Sequence, residues 1–358
     1  MLYSFLTFLF LLVGMETLSY VQAATAFDHG WTTTADSTFG DWSQTVLMTD
    51  DEVSFAAKHY RIISLEKCTG RDTNTSEVGI YSTAQRIKQQ DPTIKVFFYW
   101  ATDQQGINCY AAGDTFAAHP EWHLKDDSGV ALDPPVLDTS VPEAAAWWVS
   151  IPLGGTDGQG NWDGIPVTSL IDGVLADSGG WSRYNGVAIE RLEAQYDNKL
   201  KMMGDLQDVF NQANGGFVMA NGLNMYGGGA VDPRRPDDHN LLSLSYTRAA
   251  MNEHTAVFES VNTANASLNV ETVSVNLDVM LEAAQLDNSS KLVFMQTWPG
   301  LYVQTSFNPT STSPAEVYPP GGEPTPQSMA EWRDALKSHF TFAHALYLSI
   351  AEPNIYWM

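Results

Sequence analysis

Eight short apolar runs, most of them closing on an acid or an amide, constrain this chain more than any other feature. They are RIISLE (61–66), KVFFYWATD (95–103), PVLD (135–138), GVLAD (173–177), GFVMAN (216–221), AVFE (256–259), KLVFMQTW (291–298) and NIYWM (354–358). Their apolarity is continuous rather than alternating, which is the pattern of strands covered on both faces in a parallel sheet.

Helical patterns fall between the runs. In the clearest one, Ile189, Leu192, Tyr196, Leu200, Met203, Leu206 and Phe210 recur at helical spacing ahead of Gly215-Gly216. The last helix opens on a capping box, Ser328 to Glu331, and continues to about Ile350. Weaker helical patterns cover 77–90, 142–150, 241–253 and 271–287. Strands alternating with helices in this number predict a single-domain (β/α)8 TIM barrel over residues 24–358. A doubly wound open sheet is the competing arrangement.

In a barrel the C-terminal ends of the strands face the functional side. Six runs reach Glu66, Asp103, Asp138, Asp177, Asn221 and Glu259 there, and a seventh reaches Trp298. Arg61, Lys95, Asp172 and Lys291 mark the opposite end, where Asp172 reads as a solvated strand-start residue. Two long loops, NMYGGGAVDPRRPDDH (224–239) and TSFNPTSTSPAEVYPPGGEPTPQS (305–328), follow the fifth and seventh runs and so belong to the functional face.

Carboxylates ringed by aromatics are the equipment for breaking glycosidic bonds: one acid protonates the leaving oxygen, and a second acts as nucleophile or as base for water. Asp177 and Glu259, closing the fourth and sixth runs, are the expected pair, with Asp177 as nucleophile or base and Glu259 as acid. Glu66, Asp103, Asp138 and Asn221 would line the substrate site. Tyr99, Trp100, Trp181, Trp298 and Trp357 are the candidate stacking surfaces. Glu190 and Glu193, near the start of a helix, suit its dipole and read as a solvated face, with Glu190 the substitute acid.

His119 and His123 in HPEWHLKDDSG imitate a zinc helix, but Pro120 spoils the helix and no third ligand is evident. GGTDGQG (154–160) follows a helix rather than a strand and reads as a plain loop. No metal and no cofactor is expected.

With 18 Lys and Arg against 42 Asp and Glu, the net charge is −24. That field disfavours nucleic acid and anionic polymers, apart from a local patch at Arg234-Arg235, and suits a neutral or cationic poly- or oligosaccharide. MLYSFLTFLFLLVG at the start has the length of a signal-peptide core, and Val21 to Ala23 offers a cleavage site after Ala23. A secreted protein with no stable membrane association after cleavage is expected. Cys68 and Cys109, the two cysteines, would then pair and close a loop worth roughly 4 kcal/mol. Asn74, Asn265 and Asn288 open glycosylation sequons.

Four segments carry a resemblance. IKVFFYWATDQ (94–104), HPEWHLKDDSGVAL (119–132), VLDTSVPEAAAWW (136–148) and IDGVLADS (171–178) together resemble the glycoside hydrolase-like family fifteen, over roughly residues 45 to 180 and in outline beyond. The resemblance implies a secreted (β/α)8 hydrolase acting on a polysaccharide, with Asp177 as its catalytic carboxylate. It implies nothing about Glu259 or the sugar. The Gly-rich stretch before the fourth strand and the long loop after the seventh depart from the family's pattern. Two other functions fit the same cleft: a carbohydrate-binding barrel without turnover, and a lyase or metal-assisted hydrolase on the same fold.

Overall fold

The computed structural model describes residues 39–42, 45–104, 107–155, 158–223, 244–253, 270–296, 341, 344–352 and 354–357. Apart from a small antiparallel pair, Asn161–Trp162 with Ile165–Pro166, its strands form one sheet: β1 (Phe39–Trp42), β2 (Ile62–Leu65), β3 (Lys95–Tyr99), β4 (Gly173–Ala176), β5 (Phe217–Asn221), β6 (Ala249–Asn252), β7 (Leu292–Met295) and β8 (Ile355–Trp357). The eight strands of that sheet are parallel, and each pairs with its neighbours in sequence, from β1 through to β8. A doubly wound sheet would reverse its strand order at a switch point, and this one does not. The chain is a (β/α)8 barrel.

The helices are α1 (Asp50–His59), α2 (Ser76–Gln90), α3 (Ala112–Ala118), α4 (Pro142–Gly154), α5 (Ile189–Ala213) and α6 (Val270–Gln285), and residues 344–349 are helical too. Local chemistry starts them. Thr49 and Glu52 form a capping box at α1, the Thr75 side chain accepts from the Val78 amide at α2, and Pro142 opens α4, where a missing N–H costs nothing.

The strands divide their side chains between two cores. Ile62, Phe97, Leu175, Phe217, Met219, Ala249, Met251, Leu292, Phe294 and Tyr356 form one cluster, contributed by β2 through β8 at alternate positions. It fills the barrel interior. Gly173 belongs to that face, where an added Cβ would meet the Phe217 carbonyl at 2.2 Å and the Phe97 ring at 2.8 Å. The residues between them, such as Val96, Phe98, Trp100, Val174, Ala176, Val218 and Ala220, pack with α1 to α5. Ala250, Val293, Met295 and Ile355 pack with α6 and the C-terminal helix.

Six of the eight runs are strands, and one, PVLD, is not. PVLD is a loop in which Leu137 makes an isolated antiparallel bridge to His123, its prolines having no amide to give a ladder. AVFE, with Glu259, lies outside the described residues. The sixth strand is instead AAMN (249–252), inside a segment whose spacing suggested a helix. The first is FGDW (39–42), too polar and short to register as an apolar run.

Asp172 is also not what its position suggested. It is 7% exposed, and Lys88 Nζ at 2.5 Å, Lys95 Nζ at 3.0 Å and the Val96 amide at 3.0 Å all converge on its carboxylate. The acid ties α2 and β3 to the start of β4 instead of facing water. Asp172→Asn is expected to lower the unfolding free energy by about 2–3 kcal/mol in urea titration, because two ammonium groups lose their shared counter-charge. A loss below about 0.5 kcal/mol, the scale of an exposed ion pair, would return Asp172 to the solvated role.

Candidate active site

Side chains on a strand alternate between faces, so an odd spacing reverses the direction. Asp172 and Asp177 are five apart: the first shares the face of Val174 and Ala176, the second that of Leu175 in the interior. The same parity carries Tyr99 up from Phe97, Asn221 from Met219 and Glu253 from Met251. Consecutive strands therefore deliver these four polar side chains to one end of the barrel.

They are joined there. The Asn221 amide donates to Asp177 Oδ1 at 2.7 Å and also to Glu253 Oε2. Asp177 Oδ1 accepts from its neighbour's amide, Ser178 N, at 2.8 Å, and Oδ2 accepts from the Tyr99 hydroxyl. Tyr99 Oη in turn accepts from Lys67 Nζ at 3.2 Å, and that ammonium stands 4.7 Å from the centre of the tyrosine ring. Glu66, 8% exposed, lies 4.0 Å from the same lysine. Because Asp177 and Glu253 reach one amide nitrogen, their nearest oxygens are at most about 6 Å apart, two hydrogen-bond lengths.

Tyr99 is 3% exposed. Burial raises its phenol far above the usual range, and the negative charges of Asp177 and Glu66 push it the same way. It is a hydrogen-bond donor to Asp177 that stays protonated.

Glu253 is the residue that sequence reasoning missed. Its strand, AAMN, has two alanines and carries little hydrophobic signal, whereas AVFE, seven residues later, carries a stronger one. An acid immediately after a short small-residue run was the available cue.

The remaining expected site residues separate. Trp100 is on the outer face, 1% exposed, and its Nε1 donates to the Trp148 carbonyl at 3.1 Å while Trp148 Nε1 donates back to Ala101 at 3.0 Å. It locks β3 to α4 and offers no face to a sugar. Asp138 follows no strand; its Oδ1 accepts from the Ser140 amide and hydroxyl in the turn before α4. Asp103 lies half-buried just past β3. Trp181 is half-buried against the helix-side core. Glu190 is exposed in the first turn of α5. Trp298 lies outside the described residues, as do Arg234 and Arg235. Trp357 ends β8.

His119 stacks on Trp122 at 4.0 Å and pairs with Glu121 at 2.6 Å, and His123 bonds the Phe116 carbonyl at 3.1 Å. Both histidines are occupied in local structure. Cys68 and Cys109 are disulfide-bonded, tying the loop after β2 to the loop after β3 at the rim of the site. No helix among the described residues is long and apolar enough to cross a membrane.

No family model matches the chain, and no curated protein matches it. Solved structures match it distantly. Trehalose-6-phosphate hydrolase of Bacillus licheniformis is 8% identical with a TM-score of 0.45, covering 74% of this chain and 57% of its own. The chain thus spans a little over half the length of that hydrolase. The intracellular xylanase of Thermoanaerobacterium saccharolyticum, solved with xylotriose, is 9% identical with a TM-score of 0.41, covering 91% and 85%. D-Psicose 3-epimerase of Clostridium cellulolyticum, solved with D-tagatose, is 8% identical with a TM-score of 0.38, covering 87% and 98%. The chemistry of these three differs, and likeness at this distance does not choose among them.

The state of Tyr99 is directly measurable. In a spectrophotometric titration, the difference between the parent and Tyr99→Phe is expected to lack the ultraviolet phenolate band up to about pH 11, one unit beyond an ordinary tyrosine. A band growing in near pH 10 would mean a solvated phenol and a site unlike the one described.

Proposed function

We propose that this chain is a secreted glycoside hydrolase in which Asp177 and Glu253 form the working carboxylate pair. The observation that carries the reading is the shared amide of Asn221, which reaches both carboxylates at the mouth of the barrel. Their closeness supports double displacement, where the two carboxyl groups stand about 5–5.5 Å apart, over single displacement, which needs roughly 6.5–9.5 Å to admit a water.

In this reading Glu253, as the acid, gives its proton to the glycosidic oxygen while Asp177 attacks the anomeric carbon and the C–O bond to the leaving sugar breaks. A water then attacks the glycosyl–enzyme ester, returning its proton to Glu253 and releasing Asp177. Tyr99, Asn221 and the Ser178 amide fix the direction of the attacking carboxylate. Glu253 takes the part first given to Glu259.

The substrate is an oligo- or polysaccharide that is neutral or carries amino groups. Glu66, Asp103, Asp177 and Glu253 lie at this end of the chain's strands, within a protein of net charge −24, and an anionic sugar would be repelled. The leader-like residues 1–23 and the paired cysteines support secretion.

Reducing-end release from neutral, amino-sugar and acidic polysaccharides tests the whole reading. Asp177→Asn and Glu253→Gln are each expected to lower kcat by about 10²–10⁴-fold or more with the fold retained, and Glu259→Gln by less than about threefold. The product should keep its anomeric configuration by NMR. Full activity in Glu253→Gln would remove the pair, and retention of a polysaccharide without any turnover by the parent would turn the reading to a binding barrel.

A further inference from the structure

Lys199 is placed where a lysine is costly. It lies in α5, 2% exposed, with its ammonium withdrawn from water. Nζ donates to the carbonyls of Ser178 at 2.8 Å and Gly180 at 3.0 Å. Both carbonyls belong to the turn that directly follows Asp177. Methionine or leucine would fill the same volume without the desolvation cost, so the charge calls for an account of its own.

The turn is held from three sides. From the turn just past β3, the Thr102 hydroxyl donates to the carbonyls of Asp177 at 3.0 Å and Ser178 at 2.6 Å. From β5, the Asn221 carbonyl accepts from Gly180 N at 3.1 Å, and Gly222 lies so close that a Cβ there would stand 2.5 Å from the same nitrogen. From α5 comes Lys199. Ser178 has a φ of 55°, a left-handed conformation that a non-glycine residue keeps only under outside constraint. A shift of this turn would move Asp177 and Asn221 together, and with them the contact to Glu253.

We propose that Lys199 is a charge-dependent positioning residue: its ammonium, through the carbonyls of Ser178 and Gly180, locks the turn that aims Asp177 at the site. A charged donor makes hydrogen bonds about twice as strong as a neutral amine does, so the lock weakens when the proton leaves. Desolvation brings the Lys199 pKa down to about 8, against the opposing pull of Asp103 and Asp177, the two charged groups acting on it. Local and global stability then respond to pH with opposite signs. Between about 8 and the ordinary 10.5, the unfolded chain holds more protons at this site than the folded one, so global stability rises with pH through that window. The turn meanwhile loses its charged donor. A lysine serving only as structural cement would not separate the two.

The inference rests on the glycosidase reading only in naming Asp177 as the group that is aimed, and its test does not need turnover. Hydrogen exchange of the Ser178 and Gly180 amides is followed in the mature protein at about pH 6.5 and about pH 9.5, corrected for intrinsic rates. The parent is expected to lose about tenfold in protection between the two, while its global stability in urea does not fall. Lys199→Met should show the reduced protection at both values and be globally at least as stable as the parent. Lys199→Arg should stay protected at both. Protection in the parent that is flat across this range, or equal to that of Lys199→Met, overturns the proposal. If the parent hydrolyses sugars, kcat should fall with the same midpoint as protection. If it hydrolyses nothing while the exchange pattern holds, the glycosidase reading fails and the lock stands.

Discussion

Strands β2 to β8 are covered twice, by the barrel interior on one face and by helices on the other, and a chain whose side chains alternate must divide its residues between those two environments. The rest of the molecule follows from that division. It puts Phe97 and Tyr99 inside and Phe98 and Trp100 outside along a single strand. At β4 it sends Asp172 to the two lysines at the base and Asp177 to the polar cluster at the mouth. A slip of one residue in any register would exchange these roles, and a charged group would be buried without partners at a cost far above the few kcal/mol that separate folded from unfolded.

The mouth gathers negative charge, and the arrangement has to bear it. Two carboxylates at about 5 Å repel by about 3 kcal/mol when both are ionised and the effective dielectric is near 20. Hydrogen bonds to a charged group contribute about 1.5–3 kcal/mol each. Asp177 accepts three, from Tyr99, Asn221 and its neighbour's amide, so the donors outweigh the repulsion. Lys67 behind Tyr99 and Lys199 behind the Ser178 turn add positive charge on two further sides. Asn221 matters most in this balance because one nitrogen serves both acids: it stabilises each and sets how far apart they stand.

Legibility in the sequence tracked the strength of the local apolar signal. KVFFY and FVMAN are long and bulky, so both strands were legible; the end at Asn221 was placed, whereas the apolar run through Trp100 and Ala101 put the end of β3 at Asp103, four residues past Tyr99. The fourth run is shorter, but Asp177 and Gly179-Gly180 mark its end. AAMN is composed of small residues, and its burial comes from the barrel closing around it rather than from its own hydrophobicity; Glu253 was lost with it. PVLD had the right letters, but the prolines at 134 and 135 have no amide to give a ladder. Trp100 looked like a sugar platform because composition ranks aromatics without regard to parity, and Asp172 looked solvated because neither Lys88 nor Lys95 is near it in sequence.

The sequence by itself determined the class of fold, since continuous apolar runs between amphipathic helices can satisfy their backbone groups and cover both faces only in a parallel α/β arrangement. It also marked which end of the strands collects acids, and it supplied the two cysteines that join there. Closure of the sheet decided the rest. Which acid partners Asp177, which aspartate is an ion-pair hub, and why a lysine is buried in α5 all depend on contacts between residues 19 to 84 positions apart. Such contacts leave no periodic trace in the chain, because hydrogen bonds and ion pairs are fixed by distance and direction in space, whereas the hydrophobic pattern is written one residue at a time.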